Sequence, residues 1–174
     1  MSNWHSLEDL YRLHYTEIFR YLLRRVRHKE IAQDLTQDTF LKAFNGLATF
    51  KGNSSVKTWL YTIAHNTFIN WYRKETKYKQ DLFDHIDLID ENFYKNPAVF
   101  LEKKMTQQNI LHAIHALKVD YQHVIILREF QQLSYGEIAE VLGWNLSKVK
   151  TNLHRAKLEL RKSLSKVEGD RNEM

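Results

Sequence analysis

The residues best equipped for chemistry lie near the C-terminus. Ser147, Lys148, Lys150, Thr151, His154 and Arg155 fall close together. If this stretch is a helix, Ser147, Thr151, His154 and Arg155 occupy the side opposite Val149, Leu153, Ala156 and Leu160, with Lys148 and Lys150 flanking them. Arg and Lys donate to guanine O6 and N7, Ser and Thr bond several base edges, and any of them can grip phosphate.

Such a face needs elements to hold it. Ser134-Tyr135-Gly136-Glu137 fits a capping box, in which the Ser hydroxyl accepts from a backbone N–H three residues on while Glu137 reaches back. Gly143 permits the left-handed turn that ends a helix, and Asn145 is a good N-cap for the next. A short helix, a turn and a basic helix are the parts of a helix-turn-helix, whose second helix enters the major groove. An ordinary helical hairpin with a basic outer face has the same spacing. Leu158 falls on the outer face and suggests a protein contact, or one exposed Leu.

Other chemistries find little support. His112 and His115 are three apart and could share a metal, but no Asp or Glu follows in the next turn and the chain has no cysteine. A disulfide scaffold and a Cys nucleophile are excluded with it. No Gly-rich phosphate loop or nucleophile elbow is present, so no enzyme and no cofactor are expected.

The 174 residues hold 26 Lys+Arg against 21 Asp+Glu, a net charge of +5, and 43% are apolar. This is a globular composition. One proline and five glycines leave little for tight β-turns. The start, Met1 to His5, does not read as a signal peptide, and no apolar run approaches the roughly 20 residues of a membrane-spanning helix. The expectation is a soluble, cytoplasmic, all-α protein of two small helical domains joined by a flexible linker.

The first helical block, within residues 1–79, has apolar residues at helical spacing from Leu10 to Val26. A helix over Ile31–Phe44 follows, with Gly46 as its stop, then a polar loop from Phe50 to Ser55 and a helix from Val56 to about Lys74. On that last helix Val56, Trp59, Leu60, Ile63, Ala64, Thr67 and Trp71 share one side. Thr58, Thr62, His65, Asn66, Ile69, Asn70 and Arg73 turn to the other. Asp81 to Tyr94 carries five acids and no Lys or Arg, so residues 80–104 read as an acidic linker. The second block spans 105–167, with 168–174 as a tail. Trp144 to Lys166 carries seven basic residues and one acid, which suits a polyanion partner or a solvated helix face.

Phe130 to Gly143, continuing through Lys148 to Ala156, resembles region 4 of bacterial extracytoplasmic-function (ECF) sigma factors. Gln33 to Ala43 is similar to the core-polymerase-binding helix of region 2, and Thr58 to Asn66 to its segment that reads the promoter −10 element. The three motifs stand in the family's order and cover nearly the whole chain, Leu7 to Lys166.

The resemblance implies a subunit that joins core RNA polymerase and directs it to promoters, while the polymerase performs catalysis. Asp34, Leu35, Gln37, Asp38 and Leu41 would meet the clamp helices of the large subunit, whose flap is a further partner. Ile31, Leu35, Phe40, Leu41 and Phe44 share no narrow face, so that helix needs cover on more than one side. The cover is either a partner or its own domain. The loop residues Lys51, Gly52, Asn53 and Ser54 would form a pocket for a base flipped from the non-template strand. Tyr61, Thr62, His65, Asn66 and Arg73 would serve the same −10 element, Asn66 at a base edge and Arg73, with Lys74, at phosphate. Tyr61 and Tyr72 are the expected stacking platforms, with Trp59 in the core. Asn70 stands where many family members carry Asp, and is given no role. Ser147, Lys148, Lys150, Thr151, His154 and Arg155 would read the −35 element. No third domain fits between the blocks, so control would come from outside, from an anti-sigma protein that could hold the chain at a membrane. The rival reading is a helix-turn-helix regulator that never binds polymerase. It would have no use for the motifs of the first block.

Overall fold

The computed structural model describes the backbone of residues 7–79 and 100–172 and the side chains of 7–77 and 107–165. Every regular element among them is a helix. The chain divides into two compact units, residues 1–90 and 91–174.

The first unit is built on three helices. α1 (Leu7–Val26) has acids in its first turn and arginines in its last, which complements the helix dipole, and buries Leu10, Ile18, Leu22 and Val26. Arg27, at φ 56°, ends it, and its N–H bonds the Leu23 carbonyl. His28 then caps α2 (Lys29–Leu47), its Nδ1 accepting from the Ile31 N–H. α2 buries Ala32, Leu35, Thr36, Thr39, Phe40 and Ala43. The hydroxyls of Thr36 and Thr39 donate to carbonyls one turn back, so neither is buried unsatisfied. Gly46 does not stop this helix. It is the penultimate residue of α2 and takes no left-handed φ; Trp59 covers the spot where a side chain would stand, and a Cβ there would come within 3.3 Å of the indole. The loop turns at Gly52, φ 69°, and Ser55 caps α3 (Val56–Lys79) by accepting from the Thr58 N–H.

The second unit starts earlier than expected. α4 (Phe100–His115) takes in the last residues assigned above to the linker; Leu101 to Met105 are good helix formers, and Pro97 lies before them. The rest of the linker, 80–99, lies outside the described residues. α5 (Val119–Ile125) continues as a π-helical segment, Ile126–Phe130. Gln122 ties the α4–α5 turn by donating to the carbonyls of His115 and Leu117. Next come α6 (Tyr135–Leu142) and α7 (Leu146–Asn172). α7 extends through most of the expected tail, since no proline interrupts it. Ile114, Leu117, Val124, Ile125, Ile126, Leu127, Leu133, Ile138, Val141, Val149, Leu153 and Ala156 form this core.

Candidate polymerase and nucleic-acid interfaces

The helix-turn-helix is held by local chemistry. Ser134 and Glu137 form the reciprocal capping box, Ser134 Oγ accepting from the Glu137 N–H and Glu137 Oε2 from the Ser134 N–H at 2.8 Å. Gly143 adopts φ 65°, and the Trp144 N–H returns to the Ala139 carbonyl. Asn145 Oδ1 accepts from the Lys148 N–H at 2.7 Å. Arg128 clasps the front of the motif: its Nη1 donates to the Leu133 carbonyl and its guanidinium lies 4.9 Å from the Tyr135 ring centroid.

On α7, Val149, Leu153 and Ala156 are buried, while Ser147, Lys148, Lys150, Thr151, His154 and Arg155 are all exposed. One of them is partly committed. Lys148 Nζ lies 3.6 Å from Asp120 Oδ2 and 3.8 Å from the Trp144 ring centroid. Leu158 is exposed on the same helix.

In the first unit, α2 turns Asp34, Gln37, Asp38 and Leu41 outward in one row, and Phe44 extends it. Leu41 is 60% and Phe44 53% exposed, so the unit itself does not cover them. Leu35 departs from expectation. At 5% exposure it packs inward, on the side of α2 that carries Ala32, Thr39 and Phe40. It supports the row and does not belong to it.

α3 places Asn66, Asn70, Arg73, Lys74 and Lys77 on a polar exposed strip. Thr62 is half-buried and donates its hydroxyl to the Thr58 carbonyl, leaving lone pairs to accept. Thr58 and His65, placed by the wheel on the outer side, and Tyr61, expected as a stacking platform, are buried. Tyr61 has no exposed surface; its ring meets Tyr21 edge-on at 5.4 Å. The Tyr21 hydroxyl lies 3.3 Å from His65 Nδ1. α3 packs against both α1 and α2, so its buried surface is wider than one stripe, and residues facing α1 resemble outer ones on a wheel. Burial raises the Tyr61 pKa, pushes that of Tyr21 up to about 12, and lowers that of His65 to about 4, with Arg25 adding to the last. Both tyrosines and the imidazole are therefore neutral at pH 7. Tyr72 remains the exposed platform, its ring 5.8 Å from Phe68.

The loop between α2 and α3 has a pocket on each of two sides. One, about 450 Å³, lies toward α2 and is lined by Lys42, Thr49, Phe50, Asn53, Trp59 and Ile63, among others. The Phe50 and Trp59 rings are 4.7 Å apart in its wall. Trp59 is half-buried, so it is both a core residue and a pocket residue. The other, about 650 Å³, lies toward α1 and brings in His14 and Lys57. Lys51 and Ser54 line both; Gly52 belongs to the α1 side and Asn53 to the α2 side. Sequence reasoning missed Lys42, His14 and Lys57. Packing across helices brings Lys42 and His14 to the loop, and no local spacing signals it, whereas Lys57 follows the loop directly at the start of α3. No group of three or more His, Cys, Asp or Glu side chains among the described residues could hold a metal ion.

A helix-turn-helix with a basic outer face, joined in one chain to a three-helix unit with a pocketed loop, defines a helical DNA-binding protein of transcription. Residues 10–78 match the family model of sigma-70 region 2, and residues 107–160 that of sigma-70 region 4. The chain is 52% identical to the RNA polymerase sigma factor YlaC of Bacillus subtilis, over 95% of this chain and 96% of that one. It is 32% identical to the ECF RNA polymerase sigma factor SigX of the same organism, over 91% and 84%. In fold it is similar to the sigma factor RpoE of Bartonella quintana, solved in complex with the anti-sigma factor NepR, with a TM-score of 0.73 at 23% identity over 91% of this chain and 96% of that one. The chain belongs to the sigma-70 family, as an RNA polymerase sigma factor of the ECF type. Sigma factors are transcription initiation factors that bind core RNA polymerase and promoter DNA.

Proposed function

We propose that three surfaces divide the work of this sigma factor. The outer row of α2, Asp34, Gln37, Asp38, Leu41 and Phe44, docks on the clamp helices of core polymerase. The observation that carries this is the exposure of Leu41 and Phe44 one turn apart beside two carboxylates, since large apolar side chains left uncovered mark an interaction site. The pocket toward α2 takes a base flipped from the non-template strand of the −10 element. Its aromatic wall offers stacking, Lys51, Asn53 and Ser54 offer polar contacts, and Thr62, Asn66 and Arg73 carry the strand along α3. Tyr72, not Tyr61, stacks.

The outer face of α7 reads the −35 element in the major groove. Lys148 contributes least to base reading, because Asp120 and Trp144 already hold it. The flap of the polymerase is the expected neighbour of this unit. Promoters and polymerase place the chain's work in the bacterial cytoplasm. An anti-sigma factor controls it, which the complexed state of RpoE of Bartonella quintana supports by analogy. Among the described residues no helix is long and apolar enough to cross a membrane.

Run-off transcription with purified core polymerase tests the reading. Added chain should start transcripts from promoters that core polymerase alone ignores. Binding to DNA without such starts would favour a regulator independent of polymerase.

A further inference from the structure

Lys148, Lys150 and Arg155 are the cations on the proposed reading face of α7. Among the described residues Lys150 and Arg155 have no carboxylate within ion-pair distance, whereas Lys148 has one. Its Nζ lies 3.6 Å from Asp120 Oδ2 and 3.8 Å from the Trp144 ring centroid. Both partners stand on fixed backbone. The Lys148 N–H donates to Asn145 Oδ1 and its carbonyl accepts from Asn152 Nδ2, while Asp120 is followed by the buried Tyr121. Lys118, the cation nearest to Asp120 in sequence, stands with its ammonium 5.8 Å from the Tyr121 ring centroid and makes no ion pair with Asp120. The two paired side chains are 44% and 52% exposed. An ion pair in that setting adds little to stability and is broken readily, yet it decides which cations the face offers to a polyanion.

We propose that Asp120 is a specificity-determining residue that acts through Lys148. It keeps the ammonium from phosphate while α7 rests loosely on a duplex, and gives it up once α7 seats in the major groove at a matching sequence. The proposal rests on the reading of α7 as the −35 helix. Binding to unmatched DNA comes almost entirely from cations that displace counterions at phosphate, so holding one cation back weakens it. At a matching sequence the base contacts draw the helix in, a phosphate comes within reach of Lys148 Nζ, and breaking so exposed a pair costs little. Asp120 thus widens the gap between right and wrong DNA without touching a base.

The test uses the full chain, a duplex selected from a randomised pool by the wild type, and a scrambled duplex of the same composition. Each is titrated across a salt series. Asp120→Asn should bind the scrambled duplex about fivefold more tightly, with a salt slope steeper by about 0.9. On the selected duplex it should gain less than about twofold, with the slope unchanged. Asp120→Glu should behave as wild type. In a Lys148→Ala background, Asp120→Asn should leave the slope on scrambled DNA unchanged, because no ammonium remains to be released. Equal tightening on both duplexes, no tightening on either, or a steeper slope that persists without Lys148 overturns the proposal and leaves the −35 reading standing. A wild type that selects no sequence would remove the −35 reading itself, and this role with it.

Discussion

In the second unit the surface proposed to face DNA is one face of one helix. α7 buries Val149, Leu153 and Ala156 along one stripe and exposes everything opposite. In the first unit the corresponding surface is assembled from Lys42 of α2, the loop, Trp59 and the polar strip on α3. The caps around α6 and α7 join residues three apart, whereas Tyr21 and His65, 44 residues apart, meet only after folding. A surface set by local bonds tolerates change in its neighbours. One set by packing transmits each core disturbance to the site.

The largest expected effect probes that coupling. Tyr61→Ala removes a buried ring and should destabilise the first unit by about 3–5 kcal/mol, whereas Tyr72→Ala should leave stability nearly unchanged and weaken single-stranded −10 DNA binding by about 1–3 kcal/mol. Thermal unfolding beside DNA titration separates the two. If Tyr61→Ala loses DNA affinity at full stability, the buried assignment is wrong.

Acid should act on the same unit. His65 is held neutral in the fold with a pKa of about 4, below its value of 6.5 when unfolded. The unfolded chain therefore binds the extra proton first. This contribution is fully present above pH 6.5 and falls away as pH drops toward 4, by on the order of 3 kcal/mol. The protection factors of the α1 and α3 amides, taken relative to the intrinsic exchange rate at each pH, should fall across that window, and His65→Gln should flatten the dependence. A wild-type profile that is flat from pH 7 to 4 would contradict it.

In the second unit the effects should be smaller and confined to function. Arg155→Ala should cost about 1–3 kcal/mol of −35 recognition without changing stability, if the guanidinium meets a base. An equal loss on all DNA sequences would assign it to phosphate. Smallest of all, Gln132 sits at φ 57°, a left-handed conformation unfavourable to a side chain. Gln132→Gly should stabilise the unit by about 0.5–1 kcal/mol and leave promoter choice unchanged, measured by chemical denaturation and run-off transcription.

The contrast also explains what could be read from the sequence. The two helical units, the capping box at Ser134, the turn at Gly143, the cap at Asn145 and the exposure of Ser147, Lys148, Lys150, Thr151, His154 and Arg155 were legible, because each depends on residues within one or two turns. Tyr61 and His65 were misplaced because α3 packs against two helices and a wheel shows only one buried side, whereas Leu35 was assigned by resemblance and lies on the buried side of α2. Gly46 looked like a helix stop because its real reason, Trp59, lies 13 residues away. The π-helical segment before α6 left no periodic signature. The outer row of α2 was found by resemblance, and its physical mark, the exposure of Leu41 and Phe44, appears only in the fold.

The attachment of that row to polymerase bears the most weight. Titrating a labelled chain with core polymerase, wild type against Asp38→Lys and Leu41→Arg, tests it most directly. Affinity should fall at least tenfold for each variant while thermal unfolding and binding to −35 DNA stay as in wild type. Unchanged affinity for core polymerase in both folded variants would contradict the account.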